Sequence, residues 1–180
     1  MRPTADFLVK PYGGERYDVK RKFGNVEFIM STSQEDHLTT NRKAIVTGIP
    51  YDYDGDIKIG DSVIVHHNVF RKFYNMEGRE VSGFNHIIDD DYIVSYDQIY
   101  LRGSDFNNLE SIDNFVFVLP DHNADSCFNG TVVYPSKNLI SKGITKGDRV
   151  VFGSFCHYRF TLNHPEVLFR MYTKDIIGTE

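Results

Sequence analysis

A chain of 180 residues with 41% hydrophobic and 25% charged side chains can bury one large core or two small ones, which excludes wholesale disorder. Its formal charge of −5 argues against a sequence-independent nucleic-acid binder, and no run approaches the roughly 20 apolar residues that span a bilayer. With 14 Phe, 11 Tyr and no Trp, alongside many Val and Ile, the composition favours pleated, half-buried strands.

The opening residues, Met1 to Asp6, hold no apolar core, so no secretory signal is expected, and the expected location is cytoplasmic. Asp6-Phe7-Leu8-Val9-Lys10-Pro11 reads as a strand stopped by proline. Lys20-Arg21-Lys22 reads as a solvated strand end. Gly24 to Met30 is either an ordinary strand or the apolar part of a loop that continues through the polar run Ser31 to Lys43. Asp52-Tyr53-Asp54-Gly55-Asp56 resembles a fragment of a calcium loop. Ile57, however, stands where the turn glycine belongs and Val63 where the bidentate Glu belongs, so an acidic turn is expected. His66-His67 follow a strand directly and are expected on opposite faces, as poor joint ligands. Asp89-Asp90-Asp91 reads as a hairpin tip and Tyr92 to Ile99 as a closing strand.

Arg102 to Asn108 is polar with one glycine and reads as a linker; Asn108 to Ile112 is the only stretch that suggests a helical turn. Asn114 to Pro120 is then a second apolar strand ended by proline, and Val167 to Tyr172 with Asp175-Ile176-Ile177 close the chain's second half. His122, Cys127, Cys156 and His157 are of zinc-ligand types, but no Cys-x-x-Cys or His-x-x-x-His pair occurs, so no metal is expected and the cysteines read as free thiols. No nucleophile signature and no glycine-rich phosphate loop is present, so the chain reads as a non-enzyme with no catalytic residue and no cofactor.

The most informative feature is internal repetition. Ile57-Lys58-Ile59-Gly60-Asp61-Ser62-Val63 and Ile144-Thr145-Lys146-Gly147-Asp148-Arg149-Val150 share Ile-x-x-Gly-Asp-x-Val. The offset of 87 that carries Gly60 onto Gly147 also carries Ile45-Val46 onto Val132-Val133, without a gap from Ala44 to Val65. Gly frees a positive φ and Asp bonds back to nearby backbone, so Gly-Asp ends a turn and starts a strand. Two domains are predicted, 1–103 and 104–180.

The repeated unit resembles the GroES family of co-chaperonins, in which a Gly-x-Val strand leads through a loop to Val-x-x-Gly-Asp-x-Val and a final strand carries an acidic residue and Ile. The matching residues are Ala44-Ile45-Val46, Ile57 to Val65 and Asp97-Gln98-Ile99, then Gly130 to Val133, Ile144 to Phe152 and Asp175-Ile176. The resemblance implies a mainly β fold of two tandem, partly open GroES-like β-barrels. It implies a homo-oligomer that caps a GroEL-like chaperonin ring and assists ATP-dependent folding, in a phage setting of a capsid protein. A mobile loop at 23–43 would dock through Phe28, Ile29 and Met30, whereas Asp121 to Asn129 in the second copy is too short and polar to dock. The short connection from Thr47 to Asp56 matches phage co-chaperonins, which are similar in lacking a roof. The competing expectation is a virion capsid or tail protein that reuses the fold. A small-molecule-binding barrel is a third and would need a lined pocket.

Overall fold

The computed structural model describes residues 2–17, 40–121, 128–153, 158–160, 162 and 167–180 in full, and residues 20–23 and 26–29 as backbone. The protein is mainly β, with 46% of residues in strands and antiparallel sheets, none of them closed into a barrel. The chain divides into two compact units, Met1–Asn107 and Asn108–Glu180.

In the first unit the strands are β1 (Phe7–Pro11), β2 (Lys20–Phe23), β3 (Val26–Ile29), β4 (Lys43–Gly48), β5 (Ser62–Val65), β6 (Lys72–Tyr74), β7 (Glu80–Ser82), β8 (His86–Ile88), β9 (Asp91–Val94) and β10 (Ile99–Gly103). Along the main sheet they lie in the order β10-β5-β4-β1-β9-β8, every neighbouring pair antiparallel. In β4, Lys43 to Gly48 alternate between half-buried and buried, as in a strand with one face on the core. Ser62 to Val65 are buried throughout, so β5 is covered on both faces. Val9, Val63, Ile64, Val65, Val94, Ile99 and Leu101 are fully shielded and form much of this core.

The second unit comprises β11 (Leu109–Ser111), β12 (Phe115–Pro120), β13 (Asn129–Tyr134), a single helical turn and a half α1 (Lys137–Ser141), β14 (Arg149–Phe152), β15 (Tyr158–Phe160), β16 (Leu168–Tyr172) and β17 (Ile176–Thr179). Its sheet runs β17-β14-β13-β12-β16-β15. Val116, Val118, Val132, Leu139, Val150, Phe152, Phe169 and Met171 pack into one core, with Ile144 and Ile176 against it.

The two sheets are the same connection diagram drawn twice. β10, β5, β4, β1, β9 and β8 correspond in turn to β17, β14, β13, β12, β16 and β15. The irregularities correspond as well. β1 bulges against β4 between Leu8 and Val9, and β12 against β13 between Phe117 and Val118. Both central strands end on proline, Pro11 opposite Ala44 and Pro120 opposite Gly130, where a missing N–H costs the ladder least. The shared Gly-Asp motif is one turn built twice. Gly60 and Gly147 have φ of 94° and 96°; Lys58 N–H donates to Asp61 Oδ2 at 2.9 Å and Thr145 N–H to Asp148 Oδ2 at 2.6 Å.

The register corrects one reading. Gly60 N–H donates to Val46 O and Gly147 N–H to Val132 O, both at 2.8 Å, so Val46 corresponds to Val132 rather than to Val133. The second copy holds one more residue between strand and turn, and the gapless alignment placed β13 one position out of step, on the wrong face. Three further expectations change. The stretch Tyr92 to Ile99 is not one strand: β9 ends at Val94, a 3-10 turn takes Tyr96–Gln98, and β10 begins at Ile99. Arg102 and Gly103 lie in β10 rather than in a linker. Leu109 to Ser111, expected to turn helically, is a strand, while the one α-helix of the described residues begins after Ser136, whose hydroxyl accepts Leu139 N–H at 3.0 Å.

Candidate functional site

The segment that the family resemblance singles out leaves the main sheet after β1 and returns at β4. Within it β2 and β3 form a two-stranded sheet of their own, with Arg21 opposite Phe28 and Lys20 opposite Ile29. Phe28 and Ile29 therefore occupy strand positions of a hairpin separate from the main sheet. Met30 and residues 31–39 lie outside the described residues.

The root of this segment is held by residues the sequence reading did not single out. Tyr17 and Thr40 form an isolated antiparallel bridge where the chain leaves and re-enters. Asn41 fastens the two sides: its amide donates to Tyr12 O at 3.1 Å and Glu15 O at 2.7 Å, while its Oδ1 accepts Lys43 N–H at 2.9 Å. Arg16 reaches across the fold. Its guanidinium donates to Phe70 O at 2.8 Å through Nε, to Ser82 Oγ at 2.9 Å through Nη1 and to Arg71 O at 3.4 Å through Nη2. The same group lies 5.4 Å from the centre of the Tyr92 ring. Tyr17 adds a parallel tie, its hydroxyl accepting Lys72 N–H at 2.6 Å. Tyr92 is buried and meets Phe70 edge-on at 4.7 Å. That burial pushes its phenol above the usual tyrosine range, partly countered by the Arg16 charge and reinforced by Asp90 and Tyr17.

Arg16 and Tyr17 thus join the root of β2–β3 to the β6–β7 hairpin. That hairpin turns at Asn75-Met76-Glu77-Gly78, where Asn75 Oδ1 accepts Glu77 N–H at 3.0 Å and Arg79 N–H at 2.8 Å and Gly78 has a positive φ. Lys72 and Glu80 pair across it. Its apolar side chains are turned outward: Phe73, Tyr74 and Val81 are exposed, and Met76 and nearby Phe84 are exposed completely. A group of large apolar side chains in water is the kind of surface that marks contact with another macromolecule. The sequence signal for it was present, a Phe-Tyr pair and a Glu-Val pair flanking Asn-Met-Glu-Gly, but the strands are short.

The other sequence candidates resolve differently. Tyr53 of the acidic turn packs edge-on against Phe7 at 4.8 Å, and the turn's backbone closes on its own ring, since a Cβ at Gly55 would stand 2.4 Å from Tyr53 Cζ. His66 and His67 are not on opposite faces: β5 ends at Val65, both residues lie in the following turn, and their rings stack at 4.1 Å. His66 Nδ1 accepts Asn68 N–H at 3.0 Å. Asp89, with φ of 49°, sits at the β8–β9 tip. Among the described residues no three His, Cys, Asp or Glu side chains gather where they could hold a metal ion; His122, Cys127, Cys156 and His157 lie outside them. Nor, among these residues, is any helix long and apolar enough to cross a membrane.

No protein-family model matches the chain, and no curated protein matches it.

Proposed function

We propose that the protein is a co-chaperonin of GroES-like architecture, two tandem partly open barrels in one chain, that caps a chaperonin ring. ATP hydrolysis would belong to the partner, and this chain would supply contact, closure and client space. The observation that carries this reading is the separate β2–β3 hairpin, inserted between β1 and β4 where the resembling family keeps its partner-binding segment. The equivalent connection of the second unit, from Pro120 to Asn129, is much shorter. One docking segment per chain makes each contact weak. Several copies in a homo-oligomeric ring would restore affinity through high effective concentration, with exposed strand edges as the means of assembly.

In this reading Phe28, Ile29 and Met30 enter an apolar groove of the ring. Docking of a few apolar side chains into a preformed groove is a recurrent mode of peptide recognition. The root clamp at Arg16, Tyr17 and Asn41 fixes where the segment emerges, which limits the ordering entropy that docking must overcome. A host-cell cytoplasm and a phage capsid client are part of the same proposal.

The test is size-exclusion chromatography with light scattering, on the chain alone and with a chaperonin ring and ATP. Wild type is compared with the double variant Phe28→Ser/Ile29→Ser. ATP-dependent co-elution that the double variant loses is the expected outcome. A chain that ignores the ring in every nucleotide state refutes the lid and leaves a virion building block as the reading to pursue.

A further inference from the structure

The second unit has a pocket at a corner where the first unit packs aromatic rings. The ladders make the corners equivalent: Val94 lies opposite Phe7 at the end of β9 and Met171 opposite Val116 near the end of β16, so Ser95, Tyr96 and Asp97 correspond to Tyr172, Thr173 and Lys174. In the first unit aromatic rings gather at this corner. Tyr53, from the β4–β5 connection, lies 4.8 Å from Phe7 and 6.1 Å from Tyr96, and the nearby charge is acidic, Asp97, whose carboxylate accepts the Ser95 hydroxyl. In the second unit the β13–β14 connection carries α1 instead of a tyrosine. What remains is a pocket of about 390 Å³ lined by Asn114, Asn138, Lys142, Tyr172, Thr173 and Lys174.

None of the six lining residues is acidic and two are cationic, in a chain whose net charge is −5. Among the described residues neither Lys142 nor Lys174 is ion-paired; the Lys174 ammonium lies 5.4 Å from the Tyr172 ring centre. The nearest candidate counter-charge in sequence, Asp175, is directed to backbone, its Oδ2 accepting Tyr172 N–H at 2.9 Å. The walls are fixed from behind. Thr173 donates to Asn114 O through its N–H at 2.8 Å and through its hydroxyl at 3.0 Å, and the hydroxyls of Thr173 and Ser136 lie 2.6 Å apart. Two carboxamides complete the lining and are in contact with each other, Asn138 Nδ2 donating to Asn114 Oδ1 at 3.5 Å.

We propose that this pocket binds a small phosphate-bearing molecule, with the anion held by Lys142 and Lys174 and the remainder of the ligand against Asn114 and Asn138. Two ammonium groups without counter-ions among the described residues, beside amide groups on an open concavity whose lining is exposed apart from Thr173, suit an oxyanion better than a cation or an apolar group. The replacement of Asp97 by Lys174 at one equivalent position reverses the charge of the corner between copies. The proposal does not depend on the co-chaperonin reading, because binding is measured on the isolated chain.

Isothermal titration calorimetry of the full chain at low ionic strength tests it, with inorganic phosphate, glucose 6-phosphate and glucose as probes. Saturable binding of both phosphates and none of glucose is expected. Lys142→Gln/Lys174→Gln should weaken both by roughly tenfold or more, since each lost charge-assisted contact carries a factor of that order. Lys58→Gln, an exposed lysine of the first unit, should leave binding unchanged. The double variant and Lys58→Gln are both judged folded by an unaltered urea midpoint. Tighter binding of the ester than of inorganic phosphate would mark the organic part as recognised; equal binding would mark the bare oxyanion. Lack of saturable phosphate binding, binding untouched by the double variant, or glucose binding as well as its phosphate would each overturn the proposal.

Discussion

Replacing Gly130 by alanine should destabilise the second unit selectively, and the structure gives the size of the effect. Gly130 lies opposite Pro120 in the β12–β13 ladder, and a Cβ built there would stand 2.5 Å from Leu119 O and 2.6 Å from Val118 Cγ1. The first of these is backbone in a central strand, so the strands must part by close to 1 Å to reach ordinary contact. Overpacking of this kind costs roughly 1–3 kcal/mol, against a gain of about 0.4–1 kcal/mol from stiffening the unfolded chain. A net loss of about 1–2 kcal/mol follows. With a urea m-value of about 1 kcal/mol per M for a small domain, the midpoint should fall by roughly 1–2 M. Circular dichroism in urea is the assay, and Gly178→Ala is the control. Nothing lies within 4 Å of a Cβ at Gly178 and its φ is ordinary, so that variant should hold its midpoint or gain slightly. The first unit carries Ala44 at the position equivalent to Gly130, fully buried, so the demand for glycine is a property of how β12 approaches β13 and not of the shared fold. Equal midpoints for Gly130→Ala and Gly178→Ala would refute the packing argument.

The two turn glycines should behave as twins: Gly60→Ala and Gly147→Ala meet no neighbour within 4 Å but must hold φ near 95°, so each should cost about 1–2 kcal/mol from backbone strain, seen as matched falls in urea midpoint. A large difference between them would show that the two turns do not carry the same load. Alkaline stability should report two phenols, buried Tyr92 and half-buried Tyr134. Burial raises both Tyr92 and Tyr134, so the folded state keeps protons that the unfolded chain releases near pH 10; the stabilisation is complete below that value and is lost as pH rises through the folded values. Urea midpoints between pH 8 and 11.5 should therefore fall less steeply in Tyr92→Phe/Tyr134→Phe than in wild type, and parallel profiles would contradict the assignment.

What the sequence made legible were features whose cause is local. Gly-Asp before a valine run encodes its turn within four residues, because the glycine supplies the positive φ and the aspartate caps the same turn. The terminal prolines of β1 and β12 are equally local. The register of β13 was not legible, since Val132-Val133 offers two apolar residues in a row and only hydrogen bonds to Gly147 and Asp148 select which one faces inward. The pairing of His66 with His67 depended on where β5 stops. The β6–β7 strands are three residues each and largely exposed, too short to show an alternation. The Arg16 ties join residues more than fifty positions apart, and no window along the chain contains both ends. The pocket in the second unit was hidden for a related reason: its two lysines come to line one concavity only through the turn after β16 and the end of α1.

The strand order also sets a timetable for synthesis. β1 sits centrally between β4 and β9, and β5 is covered by β10, so neither edge of the nascent first unit is complete until residues near Gly103 have left the ribosome. At about 5–20 residues per second, β1 waits on the order of ten seconds for its second neighbour, with Phe7, Leu8 and Val9 on an unpaired edge meanwhile. The second unit repeats the delay with β12, β16 and β17. A chain built this way passes twice through a state in which its central strand is sticky and half-paired, and its yield in a cell will be governed by what shields those edges during translation as much as by the stability of the finished sheets.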